Sequence, residues 1–380
     1  MTTKDESFSV AKVRKDFPIV ERCIYLNHAA IGPISRRVRQ AMITQVDLHM
    51  EHIDRAGEVS ASTYQKGREM VARLVGSRPE RIAYVQNTSH GLSLVAAGID
   101  WREGDNVVVP AMEFPSNFLI WKTLQSKGVA LRPWTLDHGR LTADGLRGLV
   151  DNRTRVVAVS QVQFHNGFRC DLAAYGEVCR SHDALLVVDG TQSTGALAVD
   201  VAASGVDALV VSSHKWMLGP LGIGFMALSD RAFDQLSVHV VGWLSVVDPF
   251  QFRRELDFLP TAERFEPGTE NGAGIYGLTA RLEEIEDVGI KVIEGRILAL
   301  NEQFAEALRS SGYRITSPWG MGERSGILTF MHRSIPSETL LERLSEARTH
   351  VSLRGGAIRI SPHYYNSEAE LEETTRILLA

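Results

Sequence analysis

The chain has 380 residues, of which 44% are hydrophobic and 23% charged, and its formal net charge is −5 at pH 7. This is the composition of an ordinary globular protein that is long enough for two or three domains, and it excludes a disordered or fibrous chain. The acidic balance and the absence of a long Lys/Arg run argue against a nucleic-acid partner.

Targeting and cysteine patterns are also unremarkable. No segment approaches the roughly 20 apolar residues of a membrane span, and the N-terminal residues lack the apolar core of a signal peptide. The three cysteines, Cys23, Cys170 and Cys179, include no C-x-x-C pair, so the sequence predicts neither a disulfide framework nor a cysteine zinc site. We expect a cytoplasmic protein without membrane or nucleic-acid partners.

Between residues 81 and 229, short β-branched segments alternate with turns and helical patterns, as in stacked βαβ units. Several of these segments are apolar throughout, which is typical of strands buried on both faces. The pattern predicts an α/β fold whose mostly parallel sheet is covered by helices. The predicted strands are RIAYVQ (81–86), NVVVP (106–110), RVVAVSQV (155–162), ALLVVD (184–189), ALVVSS (208–213) and IGFMALS (223–229).

After Pro267 the pattern changes to longer amphipathic helices, such as residues 275–308, with short strands at 327–331 and 357–361. Ser337 is predicted to begin one helix, and Ser367 with Glu370 is predicted to form a capping box at the start of another. This part reads as a smaller α+β domain. The predicted division is a large domain over residues 25–266 and a small domain built from residues 1–24 and 267–380.

Polar residues follow two of the predicted strands. ALLVV ends in Asp189, and ALVV is followed by a serine pair, His214 and Lys215. In open α/β sheets ligands collect at the carboxyl ends of the strands, so a carboxylate and an amine should meet at one edge. The apolar residues directly after Lys215 would desolvate it and lower its pKa toward nucleophilic use. Taken singly, each residue also fits a helix cap or a solvated surface amine.

A third group of polar residues follows RIAYVQ, where Asn87, Thr88 and Ser89 begin a predicted helix. Hydroxyls and free backbone N–H groups at such a helix start suit a phosphate, although an ordinary helix cap is the alternative. A lysine, an aspartate and an anion cradle are the groups that pyridoxal phosphate requires. They serve as its Schiff-base partner, as the carboxylate for its pyridine nitrogen and as donors for its phosphate.

Other classes of site lack their motifs. HMEH at 49–52 does not match the zinc motif H-E-x-x-H, and GTQSTG at 190–195 does not match the hydrolase motif G-x-S-x-G. The sequence contains neither G-x-G-x-x-G nor a P-loop. No metal, serine hydrolase or nucleotide site is therefore predicted.

Five segments together resemble the class V aminotransferase family of fold type I pyridoxal-phosphate enzymes, over roughly residues 17–379. The resemblance implies a fold like that of aspartate aminotransferase, with a large domain built on a mostly parallel seven-stranded sheet flanked by helices and a smaller α+β C-terminal domain. It also implies pyridoxal 5'-phosphate as the cofactor and a homodimer. The segments are YLNHAAIGP, VVDGTQS, SSHKW-x-x-GP-x-GIG, RFEPGTEN and IRISPHYYN.

The resemblance assigns roles around the cofactor. Lys215 forms the Schiff base and Asp189 pairs with the pyridine nitrogen, and these two residues are predicted to be catalytic. Gln192 bonds the ring 3-hydroxyl, and Phe114 either stacks on the ring or packs in the core. Thr269 reaches the phosphate of the neighbouring subunit. The predicted cofactor-binding residues are Thr88, Ser89, Phe114, Asp189, Gln192, Ser212, His214, Lys215 and Thr269.

The substrate's carboxylate also needs a partner. The resemblance places it on Arg359 of IRISPHYYN, whose planar guanidinium suits bidentate binding, with Arg354 as a second candidate. For both arginines a surface ion pair is the alternative. Asn27 and His28 of the N-terminal motif are further substrate-binding candidates.

Transamination of a small α-amino acid is the first prediction, because it is frequent in the family. The alternatives are β-elimination by a C–S lyase and epimerisation, for which His28, His90 or Tyr364 would supply a second acid. A catalytically idle cofactor-binding protein is disfavoured by Arg359. Cysteine desulfurase activity is not predicted, because desulfurases use a thiolate in their C-terminal part and no cysteine follows Cys179.

Overall fold

The computed structural model describes residues 8–309 and 311–380. Strands occur in both halves of this part of the chain. They are β1 (Ile24–Tyr25), β2 (Ile82–Val85), β3 (Asn106–Pro110), β4 (Ala130–Trp134), β5 (Thr154–Ser160), β6 (Leu185–Asp189), β7 (Ala208–Ser212), β8 (Gly224–Leu228), β9 (Tyr313–Ile315), β10 (Leu328–His332), β11 (Thr349–His350), β12 (Ser352–Arg354) and β13 (Ala357–Ile360).

Helices pack on both faces of the large sheet and on the C-terminal sheet. They are α1 (Val10–Arg14), α2 (Arg36–Glu51), α3 (Ile53–Val75), α4 (Thr88–Gly98), α5 (Ser116–Thr123), α6 (Ala143–Arg147), α7 (Leu172–Ser181), α8 (Asp230–Gln235), α9 (Gly272–Val288), α10 (Ile290–Arg309), α11 (Ser337–Glu346) and α12 (Glu368–Leu379). None of the helices described combines the length and the apolar content needed to cross a bilayer.

The large sheet has seven strands in the order β2-β8-β7-β6-β5-β3-β4. Only β8 runs antiparallel to its neighbours, β2 and β7, and the other pairs are parallel. Every residue of β6 and β7 is buried, as expected for strands covered on both faces. The predicted α/β fold with a mostly parallel seven-stranded sheet is confirmed.

Strand β4 was not predicted from the sequence. Its residues ALRPW are exposed or half-buried except for the buried Trp134, and they include Pro133, which removes one ladder donor. The strand lies at the sheet edge and pairs only with β3. An edge position explains why a proline is tolerated there and why the apolar run that marks the other strands is missing.

The C-terminal part contains an antiparallel sheet in the order β12-β13-β10-β9. Its buried face packs against α10, α11 and α12 around residues such as Phe304, Leu340 and Leu371. The N-terminal strand β1 pairs with β11, so the two ends of the chain meet in this region. The predicted domain boundaries stay a prediction.

Two predicted helix features need correction. The stretch 275–308 is not one helix, because Gly289 adopts φ +90° and separates α9 from α10. Ser337 does begin α11, but its hydroxyl donates to Gly356 O (2.7 Å), so it does not cap the helix. The Ser367–Glu370 capping box at the start of α12 is present as predicted.

Candidate active site

A cavity of about 330 Å³ lies at the carboxyl ends of β6 and β7. These strands are parallel and adjacent, so the residues that follow them meet at one edge of the sheet. The structure brings together ten of the residues predicted from the sequence. Those lining the cavity are Thr88, Ser89, Phe114, Asp189, Gln192, Ser212, His214, Lys215, Arg354 and Arg359.

Asp189 is buried in this cavity, and Lys215 is half-buried. Asp189 is 5% exposed, and one of its oxygens accepts a hydrogen bond from Thr191 N–H (2.9 Å). Burial raises the pKa of Asp189, and the Thr191 bonds and the charge of Lys215 oppose that rise. Burial also lowers the pKa of Lys215, against the attraction of Asp189. A larger fraction of this amine is therefore neutral, as a base requires.

Phe114 lies beside the lysine, with Lys215 Nζ 4.9 Å from the ring centroid. The Phe114 N–H donates to Glu113 Oε1 (2.7 Å), and Glu113 also accepts from Ser160 N–H and Ser160 Oγ (both 2.7 Å). Burial raises the pKa of Glu113 to about 7, against these hydrogen bonds. The glutamate thus ties the Phe114 loop to the end of β5. Sequence reasoning missed it, although it directly precedes Phe114.

Trp216 fixes the orientation of the Gln192 amide. Its indole Nε1–H donates to Gln192 Oε1 (2.9 Å), while Gln192 Nε2 donates to Ala29 O (2.9 Å). The amide cannot turn over without losing both hydrogen bonds, and one N–H of Nε2 remains for a ligand. This donor fits a ring hydroxyl in the cavity.

Hydroxyls cluster at the first turn of α4. Thr88 Oγ1 lies 2.7 Å from Ser212 Oγ and 2.6 Å from Thr191 Oγ1, and the Thr88 N–H donates to Ser212 Oγ (2.8 Å). Asn87 Oδ1 caps the helix by accepting from His90 N–H (2.9 Å). The N–H groups of Thr88 and His90 are used in these bonds, so the hydroxyls and the positive end of the helix dipole are what fit a phosphate.

The predicted cofactor fits this donor set. The hydroxyl cluster and the start of α4 would hold the phosphate of pyridoxal phosphate. Phe114 would pack against its ring, Gln192 would donate to its hydroxyl and Asp189 would face its pyridine nitrogen. Lys215 would supply the amine for its aldehyde.

Two guanidiniums, those of Arg354 and Arg359, also line the cavity. Arg359 is 1% exposed, and its Nε and Nη1 donate to Ser352 Oγ (3.1 Å) and Phe164 O (2.7 Å). Its Nη2 is buried without a partner among the described residues, so it is free for an anion. Burial, and then the charge of Arg354, lower the pKa of Arg359 to about 9. Phe164, which sequence reasoning did not single out, also lines the cavity and packs edge-on against Phe114.

The N-terminal motif reaches the site through its backbone. Gly32 N–H donates to His214 O (2.8 Å), and a Cβ at Gly32 would lie 2.3 Å from Lys215 O. Glycine is therefore required for this close approach. The conformation of the Lys215 segment depends on a loop almost 200 residues away in the sequence.

The prediction of substrate binding by His28 needs correction. His28 is fully buried, and both of its ring nitrogens are used, by Ser361 O and Tyr365 Oη (both 2.7 Å). It does not line the cavity, and neither do His90 and Tyr364. These three residues are therefore poor sources of the second acid that epimerisation would need.

Two other predicted residues also lie away from the cavity. Asn27 is half-buried and does not line it, although its Oδ1 is buried without a partner in the described part of the chain. Thr269 is exposed and outside the cavity of its own subunit. Its predicted contact with a neighbouring subunit stays a prediction.

Comparison with known proteins adds the family context. The family model described as aminotransferase class-V matches residues 24–379. A probable cysteine desulfurase of Methanothermobacter thermautotrophicus is 31% identical, over 95% of both chains. The apo structure of a cysteine desulfurase from Thermococcus onnurineus NA1 aligns with a TM-score of 0.88 and 26% identity, covering 100% of this chain and 98% of that one.

A more distant structural neighbour shares the fold. It is the cystine C–S lyase C-DES in complex with its reaction product cysteine persulfide. It aligns with a TM-score of 0.88 and 22% identity, covering 96% of this chain and 99% of that chain.

Proposed function

The chain belongs to the class V aminotransferase family and is a pyridoxal-phosphate-dependent enzyme, and from this premise we propose that it cleaves the Cβ–S bond of a cysteine-type amino acid by β-elimination. The balanced reaction converts an S-substituted cysteine and water into a thiol, pyruvate and ammonium. No external oxidant, reductant or amino acceptor is needed.

Lys215 supplies the base. When bound, pyridoxal phosphate provides an aldehyde for the substrate's amino group and a cationic ring that accepts the electron pair of the Cα–H bond. The Lys215 amine takes the Cα proton at Nζ, a role favoured by its burial and lowered pKa. The Cβ–S bond then breaks, and the sulfur leaves with the bonding electron pair and gains a proton to become the thiol.

Asp189 and Arg359 hold the two ends of the reacting system. Asp189 keeps the pyridine nitrogen protonated through a buried charge that is in place before the reaction begins. Arg359 offers its unpartnered Nη2 to the substrate carboxylate, which orients Cα toward Lys215.

The observation that carries the proposal is that the cavity contains a lysine that can act as a base but no cysteine thiol. Lys215 lines the cavity, but none of the three cysteines does. Cys170 and Cys179 are buried elsewhere, and Cys23 lies against Ile19 O. Elimination needs only the lysine, whereas transfer of sulfur to the enzyme needs a cysteine at the substrate.

The names of the relatives favour one of the predicted reactions, C–S bond cleavage. From the sequence, transamination was the first prediction, and C–S lyase or epimerase activity was the second. A relative at 31% identity is named for action on cysteine sulfur, and this favours chemistry at the Cβ–S bond. Combined with the cavity that lacks a thiol, it supports elimination over both transamination and persulfide formation.

We also propose the homodimer that the resemblance implies, with Thr269 completing the phosphate site of the partner. The exposure of Thr269 on its own subunit supports this. The neighbouring segment is firmly anchored, because Glu266 pairs with the buried Arg68 (2.7 Å) and accepts from Tyr84 N–H (2.6 Å).

The reaction is tested by supplying cystine, cysteine and S-alkylcysteines to the holoenzyme. Pyruvate and ammonium should appear in equal amounts without any added oxo acid, together with one equivalent of thiol from S-alkylcysteines, sulfide from cysteine or cysteine persulfide from cystine. Lys215→Ala should abolish all of these products. Accumulation of the pyridoxamine form, with turnover only when an oxo acid is added, would establish transamination instead. Exchange of the Cα proton for deuterium with inversion, and without pyruvate, would establish epimerisation.

A further inference from the structure

The hairpin of β12 and β13 presents two arginines on one face. Its register pairs Ser352 with Arg359 and Arg354 with Ala357. Because side chains alternate along strands, Arg354 and Arg359 project from the same face as diagonal neighbours, with a spacing of about 7–8 Å. Gly355 and Gly356 adopt φ +56° and +78°, and so close the hairpin in two residues.

Both guanidiniums lack a carboxylate partner within the described residues. Arg354 donates from Nη1 to Leu353 O (2.7 Å), a bond that leaves most of its N–H groups unused. Arg359 retains the buried, unpartnered Nη2. Both residues line the cavity, so the unused donors belong to one site.

The charges of the cavity are unbalanced. Its lining includes two guanidiniums, Arg354 and Arg359, and the amine of Lys215, but only one carboxylate, Asp189. Burial lowers the pKa values of both Arg359 and Lys215, and the positive charge of Arg354 lowers them further, as expected for like charges in one cavity. The α-carboxylate of an amino acid neutralises only one guanidinium. The phosphate is expected at the start of α4 and not at the hairpin.

From this juxtaposition we infer that Arg354 forms a second anion subsite, so that the preferred substrate carries an acidic group on the far side of its sulfur. The chemical class is a cysteine whose S-substituent ends in a carboxylate or sulfonate. Arg359 takes the α-carboxylate and Arg354 takes the distal acid. The assignment of sulfur rests on the proposed function, whereas the second subsite does not.

The subsite is tested without turnover by two unreactive probes, glutarate and butyrate, which differ by one carboxylate. Each is titrated into the holoenzyme while the cofactor absorbance band is followed. We expect glutarate to bind at least about tenfold more tightly than butyrate, a ratio typical of one added charge contact. Arg354→Gln should reduce this ratio to near one, and Arg354→Lys should restore part of it.

Arg314→Gln is the matched control, because Arg314 is an exposed arginine of the same sheet. It should retain the wild-type ratio. Equal binding of the two probes to the wild type would overturn the second subsite. An equal loss of both probes in Arg354→Gln would also overturn it, by showing that the two arginines share one carboxylate.

A kinetic comparison of two substrates tests the second subsite separately from the proposed reaction. S-(2-carboxyethyl)cysteine is compared with S-propylcysteine, and the wild-type kcat/KM should favour the acidic substrate about tenfold, mainly through KM. Arg354→Gln should remove the preference. If neither compound yields pyruvate, the proposed lyase activity fails, while the probe titration still decides whether the second subsite exists.

Discussion

The cavity and the aromatic cluster beneath it differ in whether their polar groups have hydrogen-bond partners within the protein. In the cavity, the guanidiniums of Arg354 and Arg359 leave part of their hydrogen-bonding capacity unused. Beneath it lies an aromatic–histidine cluster in which the ring nitrogens have partners. The cluster consists of His28, Trp216, His363, Tyr364 and Tyr365.

The hydrogen bonds of the cluster fix its protonation. His363 accepts from Tyr364 N–H (2.9 Å) and lies 2.9 Å from Trp216 O, so its proton is assigned to Nε2. His28 is also neutral but carries its proton on Nδ1, which donates to Ser361 O, while its Nε2 accepts from Tyr365 Oη. The ring nitrogens of the cluster are therefore all hydrogen-bonded within the protein, whereas the guanidiniums of the cavity keep N–H groups that can bind a ligand. Lys215 and Trp216, adjacent in sequence, join the two regions.

The largest expected effect is on turnover, and it comes from replacing Lys215 in the cavity. Lys215→Ala should reduce turnover by on the order of 10⁴-fold or more, because it removes both the base and the attachment point of the cofactor. The thermal midpoint of the apoenzyme should change little, because the burial that lowers the pKa of Lys215 offsets its attraction to Asp189. Steady-state rates and thermal unfolding measure the two effects. A rate within tenfold of the wild type would contradict the assignment.

Asp189→Asn should reduce turnover by on the order of 10³-fold while the cofactor stays bound. The amide retains the shape of the side chain but does not hold the pyridine nitrogen in its cationic form. The rate is measured together with the cofactor content from absorbance. Near-normal turnover with full cofactor content would show that Asp189 does not act as the counter-charge.

The cluster should respond to pH and not to substrate. Burial lowers the pKa of His28 from 6.5 to about 4, so between these values the unfolded chain binds a proton that the folded chain does not. Stability from this group is complete above about pH 6.5 and decreases as the pH falls toward 4, by about 3 kcal/mol in total. The measurement is the thermal midpoint between pH 7.5 and 4.5.

His28→Gln should make this decrease shallower, although His363, whose pKa burial also lowers, will leave part of it. The exposed His138 provides the control, since His138→Gln should keep the wild-type slope. Identical slopes for all three proteins would mean that His28 does not bear the acid sensitivity.

The smallest expected effect comes from replacing Trp216, which belongs to the cluster and contacts Gln192 of the cavity. Trp216→Phe removes the donor to Gln192 Oε1 and leaves a void in the cluster. It should lower stability by about 1–3 kcal/mol and reduce kcat by about tenfold, because the Gln192 amide is then free to turn over. Unfolding and steady-state kinetics test both. A loss of stability with unchanged kcat would confine Trp216 to a structural role.

Much of the cavity was predictable because its residues follow buried strands. The apolar runs before Asp189 and Ser212 predicted both the strands and the shared edge, and the segment around Lys215 carried the family resemblance. The polar groups that end these strands had to lie together once the sheet was parallel.

The supporting residues could not be predicted because their roles depend on distant contacts. His28 was predicted to bind substrate, yet its partners Ser361 and Tyr365 lie more than 300 residues away and turn it into the cluster. Glu113 is identified only by its contacts with Ser160 on another strand. Proximity in sequence to a site motif did not show which way a side chain pointed.

The central claim is that Lys215 is the amine that carries the cofactor. Reduction of the holoenzyme with borohydride, followed by digestion and mass spectrometry, tests it directly. The predicted result is a stable phosphopyridoxyl group on the peptide that contains Lys215, and its absence from the Lys215→Ala protein. A modified residue elsewhere, or an unmodified Lys215 in cofactor-saturated protein, would contradict the account.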